Sequence, residues 1–294
     1  MHMEKIYLVA GGDSRYVHLA GMLTERGKVY AVGFDNPSDF SERVERLASL
    51  SELKEQPDYL VLPMPVTKNG VTLFTPLCRD NILLSHVLDL CHRQTLVFGG
   101  KVDEKTLLAC EKRGLTITDY LEREEFAVLN AIPTAEGAVQ IALEELPVTL
   151  SGQRVLITGY GRVAKLCHRA FSALGCQVTV AARSYRDLAW AEAYGAHVIP
   201  LSFLERVLPK YRLIINTVPD RLLGEEQLML LDPDALIIDL ASAPGGVDFG
   251  AAEELGIRAI LALSLPGKTA PVTAASVIAG TLDNIIAERG NEYA

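Results

Sequence analysis

The chain has 294 residues, a formal net charge of −9, 49 % apolar residues and 22 % charged ones. That length suits two domains of roughly 130–150 residues, and the composition is that of a soluble globular protein, neither disordered nor fibrous. The acidic balance argues against nucleic acid or an anionic membrane as partner, and no apolar run approaches the ~20 residues of a bilayer span.

The N-terminus lacks the basic region, apolar core and cleavage site of a signal peptide, so the expected compartment is the cytoplasm. Met1 and His2, ahead of a second methionine, read as a cloning remnant and are set aside. Cys78, Cys91, Cys110, Cys167 and Cys176 contain no C-x-x-C pair. They are expected to be buried reduced thiols, and no metal is expected.

Short apolar strands alternate with amphipathic stretches, which predicts parallel sheets flanked by helices. In the first half the pattern predicts strands near Ile6–Ala10, Val29–Gly33, Tyr59–Leu62, Leu96–Phe98 and Thr116–Ile117. Helices are expected near Tyr16–Arg26, Glu42–Ser49, Asn81–His92 and Glu104–Arg113. Gly11-Gly12-Asp13-x-Arg15 follows the first strand; its glycines let a ligand come close, but the dinucleotide spacing is missing. Asp13 reads either as a helix cap or as a group acting on substrate, and Arg15 as an anion contact. Leu62-Pro63-Met64-Pro65 ends the third strand, where Pro65 stiffens a wall, and Lys68-Asn69-Gly70 is a turn.

Glu122–Leu146 connects the halves, and Pro133 inside it predicts that one helix stops and another starts there. The expected division is a substrate and partner domain over 1–130, a connecting helix over 131–150 and a nucleotide-binding domain over 151–270. In the second half strands are predicted near Val155–Thr158, Gln177–Ala182, His197–Ile199, Leu213–Asn216, Leu236–Leu240 and Arg258–Leu261. The final helix, Pro271–Arg289, is expected to pack back on the N-terminal domain. The fold class is then α/β, two Rossmann-like, doubly wound parallel-sheet domains flanking a cleft, and such clefts commonly hold ligands.

Gly159-x-Gly161-x-x-Ala164 joins a strand to the helix Val163–Leu174. Gly159 permits the tight turn, Gly161 lets the backbone approach a pyrophosphate, and Ala164 allows close helix–strand packing. Amides at the helix start, Val163 among them, would hold the phosphates, and Arg162 adds a further contact. A bare structural turn is the competing reading. Where an acidic residue often grips the adenosine ribose, this chain has Arg183 and Ser184. A guanidinium fork and a hydroxyl suit a 2′-phosphate, favouring NADP over NAD, although Arg183 and Arg186 could simply be a solvated surface pair.

Thr217-Val218-Pro219 and Ala241-Ser242-Ala243-Pro244 end two later strands with small residues, leaving room for a nicotinamide ring. Asp239 reads equally as a loop cap or as a group acting on substrate. Pro266-Gly267-Lys268-Thr269-Ala270-Pro271-x-Thr273 fits a helix start able to receive a carboxylate, with Lys268 adding charge; a capped helix with a solvated lysine fits as well. No nucleophile stands out. His18, His86, His92 and His168 lie on predicted helices, and hydride transfer needs no protein nucleophile.

Together Gly11-Gly12-Asp13-x-Arg15, Gly33-Phe34-Asp35, Leu62-Pro63-x-Pro65, Ile132-Pro133-Thr134-Ala135-Glu136-Gly137, Gly159-x-Gly161-Arg162-Val163, Ala241-Ser242-x-Pro244-Gly245-Gly246-x-Asp248-Phe249 and Leu265-Pro266-Gly267-Lys268-x-Ala270-Pro271-x-Thr273 resemble the A-subunit family of bacterial dipicolinate synthases, over nearly the whole chain. Ala275, where glycine is expected, is a small departure. The resemblance implies an NAD(P)-binding oxidoreductase of a lysine-pathway branch. Such an enzyme converts a dihydrodipicolinate-type precursor, made from 4-hydroxy-tetrahydrodipicolinate, to dipicolinate. It works with a flavoprotein-like B subunit in the mother-cell cytoplasm during sporulation. On that reading Arg15, Lys268 and the amides near Thr273 hold the substrate's carboxylates. Thr134 and Glu136 shape the floor, Gly12 and Pro65 also line the substrate site, and Asp13 accepts a proton. The competing readings are another NADP-dependent dehydrogenase, of 2-hydroxyacid or shikimate type, and a non-catalytic NADP-binding scaffold. Homo-oligomerisation stays open.

Overall fold

The computed structural model describes residues 4–35 and 40–292; Met1 and His2 lie outside the described residues. The chain divides into two units, Met1–Leu129 with Ala270–Ala294, and Asn130–Thr269.

The first unit carries strands β1 (Ile6–Ala10), β2 (Lys28–Val32), β3 (Glu45–Leu47), β4 (Tyr59–Val61), β5 (Leu96–Gly99) and β6 (Thr116–Asp119) in one sheet of order β3-β2-β1-β4-β5-β6. All pairings are parallel. A strand's side chains alternate between faces, so a sheet covered on both sides needs apolar residues at every position. β1 meets that requirement. Tyr7 and Val9 join one core with Tyr16, Leu19 and Leu23, while Leu8 and Ala10 join another with Leu84, Val87 and Leu88. Each fully buried leucine contributes roughly 1.5–3 kcal/mol over leaving it in water. The C-terminal helix Pro271–Glu292 belongs to this unit, and its Ala275, Ile278, Leu282 and Ile285 share the core of the Ser14–Leu23 helix. Arg26–Asp283 and Arg123–Glu288 ion pairs flank it.

The second unit carries β7 (Arg154–Thr158), β8 (Gln177–Ala182), β9 (His197–Pro200), β10 (Leu213–Asn216), β11 (Leu236–Asp239) and β12 (Arg258–Leu261), ordered β12-β11-β10-β7-β8-β9. The chain starts in the middle of the sheet, at β7, and the strand order reverses beside it, between β7 and β10. At such a point connections leave in opposite directions and open a crevice for dinucleotides. Val155, Ile157, Val180, Ile215 and Ile238 pack under the helix Arg162–Ala173, and Leu156, Ala181, Ile214 and Ile237 fill the opposite face.

Three expectations need correction. Glu42–Ser49 is not a helix: Glu45–Leu47 pairs with β2 as an edge strand. Val44 and Leu47 have the spacing of one helix face, but here they enter cores on opposite sides of the sheet. The open edge of β2 decides the matter, because its backbone groups need partners. Pro133 does not split the connecting segment, since one helix runs from Glu124 to Glu145. An internal proline costs about 3 kcal/mol. Burial of Phe126 before it and of Ala135, Ala138 and Ala142 after it offsets that cost. By length and composition this helix could cross a bilayer, yet its alanine stripe lies in the core of the second unit. The third correction is to Asn81–His92, which is helical only over Leu84–Leu88.

Candidate functional site

The turn after β7 is built from its glycines. Gly159 has φ +81°, and a Cβ there would stand 2.7 Å from Thr217 Oγ1. Only glycine takes both the left-handed backbone and that approach. Gly161 differs: it is the N-cap of the Arg162–Ala173 helix, and a Cβ on it would meet nothing within 4 Å. Packing of the chain therefore does not require glycine at 161, whereas a ligand lying against the backbone would. Ala164, fully buried, seats the helix on the sheet. The first amides of a helix have no intrahelical acceptor, and the dipole there favours an anion, so the residues present fit a pyrophosphate.

At the end of β8, Arg183 is exposed. Ser184 caps the helix Tyr185–Ala193, its Oγ accepting from Asp187 N at 3.4 Å. Ser184 thus has a structural task beside any contact with a 2′-phosphate. Arg186 pairs with Asp187 at 3.5 Å, and Arg162 is exposed.

Across β7, β10 and β11, Thr158, Asn216 and Asp239 stand in register, each 0 % exposed. Thr158 Oγ1 donates to Asn216 Oδ1 at 2.6 Å, and Asn216 Nδ2 donates to Asp239 Oδ1 at 2.8 Å. Asp239 also accepts from the amides of Ala241 (3.0 Å) and Gly246 (2.7 Å). Of its two sequence readings, the loop cap is the one with partners here. Thr217 Oγ1 donates to Thr158 O at 2.7 Å; Thr217 and Val218 are half-buried and Pro219 is exposed.

In the first unit, Asp13 caps the Ser14–Leu23 helix and accepts from Arg15 N, Nε (2.8 Å) and Nη2 (2.7 Å). The proton acceptor and the anion contact read separately from the sequence are each other's partners. The Arg15 side chain is 5 % exposed. Burial works most strongly against its charge, but Asp13 and the neighbouring Tyr16 and Tyr120 hydroxyls together hold the guanidinium above its ordinary pKa. Arg15 Nη2 also reaches Met64 O at 3.5 Å, beside the cis Met64–Pro65 bond. Gly12 gives its amide to Phe74 O at 2.9 Å, and a Cβ there would collide with the Tyr16 ring. Its glycine therefore serves the packing of this turn.

Thr134 Oγ1 donates to Asn130 O at 3.0 Å, while Glu136, Lys268 and Thr273 are exposed. A Cβ on Gly137 would press on Thr269 Oγ1 and Leu265, so the connecting helix sits close against the Leu265–Thr269 turn. A cavity of about 1050 Å³ in the first unit is lined by Gly33, Phe34, Asp35, Arg79 and His86.

Sequence reasoning missed the Tyr16–Tyr120 hydroxyl pair, whose members lie 104 positions apart, and Tyr120 O–H also reaches Leu62 O at 3.3 Å. It missed His168 as the partner of Tyr160, at 2.9 Å from Nδ1 to the hydroxyl; burial holds that imidazole below its usual pKa. No local pattern signals either pair. The five cysteines are free, three of them buried.

Residues 7–121 match the family model for the N-terminal domain of the dipicolinate synthase A-subunit. Over 286 residues the chain is 34 % identical to the dipicolinate synthase A-subunit of Bacillus subtilis, covering 95 % of each. The chain belongs to the dipicolinate synthase A-subunit family. Two crystal structures with that description superpose on it. The Bacillus halodurans protein has a TM-score of 0.88 at 30 % identity, covering 96 % of this chain and 98 % of that one. The B. subtilis protein has a TM-score of 0.87 at 31 % identity, covering 99 % of each. Residues 129–247 match "D-isomer specific 2-hydroxyacid dehydrogenase, NAD binding domain". This member of the family is an NAD(P)-dependent oxidoreductase using a nicotinamide cofactor. The Gly159 turn would hold that cofactor, which supplies a hydride-accepting carbon when bound.

Proposed function

We propose that this chain is the NADP-linked subunit of a cytoplasmic dipicolinate synthase of sporulation, oxidising a dihydrodipicolinate-type dicarboxylate, derived from 4-hydroxy-tetrahydrodipicolinate, to dipicolinate. A separate flavoprotein-like B subunit is its partner in the mother cell. The single observation carrying this reading is end-to-end likeness to the dipicolinate synthase A-subunit, joined to a turn whose second glycine has no packing reason to be glycine. NADP is preferred to NAD because an exposed arginine, not a carboxylate, follows β8.

In the proposed reaction a ring C–H bond of the dihydropyridine breaks with both electrons leaving as hydride, one proton is shed, and the ring becomes aromatic. The substrate is oxidised by two electrons and the cofactor reduced by two. The protein's work is to hold two carboxylates and bring the donor carbon within ~3–3.5 Å of its acceptor. Lys268 and the helix start at Thr273 hold carboxylates, joined by Arg15 through whatever part of its fork Asp13 leaves open. Thr134 and Glu136 shape the floor, and Gly12 and Pro65 are further substrate contacts. Asp13, held in place by Arg15, takes the proton.

Calorimetry on the chain, alone and with the B subunit, tests the reading using NADP, NAD and dipicolinate in turn. Tighter binding of NADP than of NAD, with dipicolinate binding beside it, is expected. Binding of neither coenzyme with the partner supplied would overturn the redox role.

A further inference from the structure

The carboxyl ends of β7, β10 and β11 hold Thr158, Asn216 and Asp239 side by side, all three fully buried. The positions just before them are Ile157, Ile215 and Ile238, as a packed sheet demands. Three polar side chains in a row at this depth are expensive, because burying a carboxylate costs several kcal/mol before its partners are counted. If packing were the only need, apolar residues would serve better here.

What these groups hold is backbone beyond the strands. Asn216 Nδ2 donates to Val218 O at 2.9 Å, and its Oδ1 accepts from Val218 N at 3.2 Å. Asp239 takes the amides of Ala241 and Gly246. Gly246 O in turn accepts from Leu222 N (2.9 Å) and Leu223 N (3.0 Å), tying the loop after β10 to the loop after β11. Two glycines are cut to this arrangement. A Cβ on Gly245, at φ +91°, would stand 2.5 Å from Asp239 Oδ2, and one on Gly246 would stand 2.4 Å from both Asn216 Nδ2 and Val218 O. The two loops therefore form one fixed wall, with buried side chains as its tie-bars.

The wall's position gives it a use. In a sheet of this order the half containing β7, β8 and β9 receives the adenosine side of a dinucleotide, and the half containing β10 and β11 receives the other nucleotide. The loops fixed by Asn216 and Asp239 lie over that second half.

We propose that Thr158, Asn216 and Asp239 are positioning residues for the nicotinamide: by fixing the Val218 backbone and the 241–246 loop, they hold the ring's pocket in one geometry without touching the ring. The proposal rests on the cofactor lying along the Gly159 turn. It predicts that loosening the tie-bars leaves the adenosine half bound as before and frees only the nicotinamide half. General loss of structure would weaken both halves together.

The test uses the full chain and two probes: the reduced dinucleotide it binds more tightly, NADPH or NADH, and the ADP-ribose fragment with the same 2′ group. The substitution is Asp239→Asn, which keeps shape but sets an amide N–H against at least one backbone N–H. Expected is an affinity for the fragment within about twofold of wild type, an affinity for the dinucleotide reduced about tenfold (~1.4 kcal/mol), and lower fluorescence anisotropy of the bound nicotinamide. Equal weakening of both probes, or no change in either, overturns the positioning role. Failure of the wild-type chain to bind either probe overturns the cofactor site itself. If Asp239→Asn does not fold, Thr158→Val, which removes one donor from Asn216, carries the same expectation at about threefold and the same overturning results.

Discussion

At the scale of single residues, the end of β8 gives the sharpest prediction. Arg183→Ala is expected to weaken NADP about tenfold and leave NAD within about twofold, the size expected from losing one charge-assisted contact. Ser184→Asp keeps the helix cap, since aspartate caps as well as serine, while setting a carboxylate where a 2′-phosphate would lie. It should turn the preference toward NAD, and paired titrations of the two coenzymes would show it. Equal effects on both coenzymes would mean that Arg183 and Ser184 do not read the 2′ position. Arg15 calls for a different expectation. Its removal leaves Asp13 in a half-buried setting without its partner, so Arg15→Ala should cost about 3 kcal/mol of stability as well as any affinity for a dicarboxylate. Chemical denaturation and dipicolinate titration on the same sample separate the two losses. An unchanged dicarboxylate affinity removes Arg15 from the proposed site.

At the scale of elements, the C-terminal helix shows how much was legible and why. Its stripe of Ala275, Ile278, Leu282 and Ile285 is visible as a helical repeat, and that stripe joins the core of the Ser14–Leu23 helix. Ala275 stands fully buried there. Ala275→Gly, the residue the family likeness led us to expect, should lower stability by about 1 kcal/mol through lost helix propensity, measured as a lower Tm. A rise in Tm would show that the backbones are crowded at that point. Glu42–Ser49 and Pro133 were misread for a shared reason. Local patterns weigh a residue against its neighbours in sequence, whereas the free edge of β2 and the cores beneath Phe126 and Ala138 lie far from them along the chain. The glycine turn after β7 was readable because its spacing encodes backbone geometry directly.

At the scale of the whole molecule, buried acids that ionise only at high pH set the alkaline limit. Burial pushes the Cys167 thiol up to about 12, Cys91 to about 12 and Cys110 to about 11, from an ordinary value near 9. Burial likewise raises the Tyr7 hydroxyl to about 12. A group whose folded pKa exceeds its unfolded one contributes stability that is complete below the unfolded value and lost as pH rises through the folded one. Stability should therefore be insensitive to these groups up to about pH 9 and fall steeply toward pH 12, as melting curves taken at successive pH values would show. The same thiols should resist alkylation at pH 8 in the native chain and react once it is unfolded.

Two parallel sheets, the glycine turn after β7 and the membership of a family follow from the amino-acid sequence by itself. Periodicity, glycine spacing and end-to-end likeness are properties of residues near one another in the chain or matched in order along it. The spending of the Gly12 amide on Phe74 and the row formed by Thr158, Asn216 and Asp239 were decided only by the tertiary structure. The physical reason is that a buried polar group must find a partner wherever the fold brings one within about 3 Å, and which partner that is depends on strand order rather than on sequence neighbours.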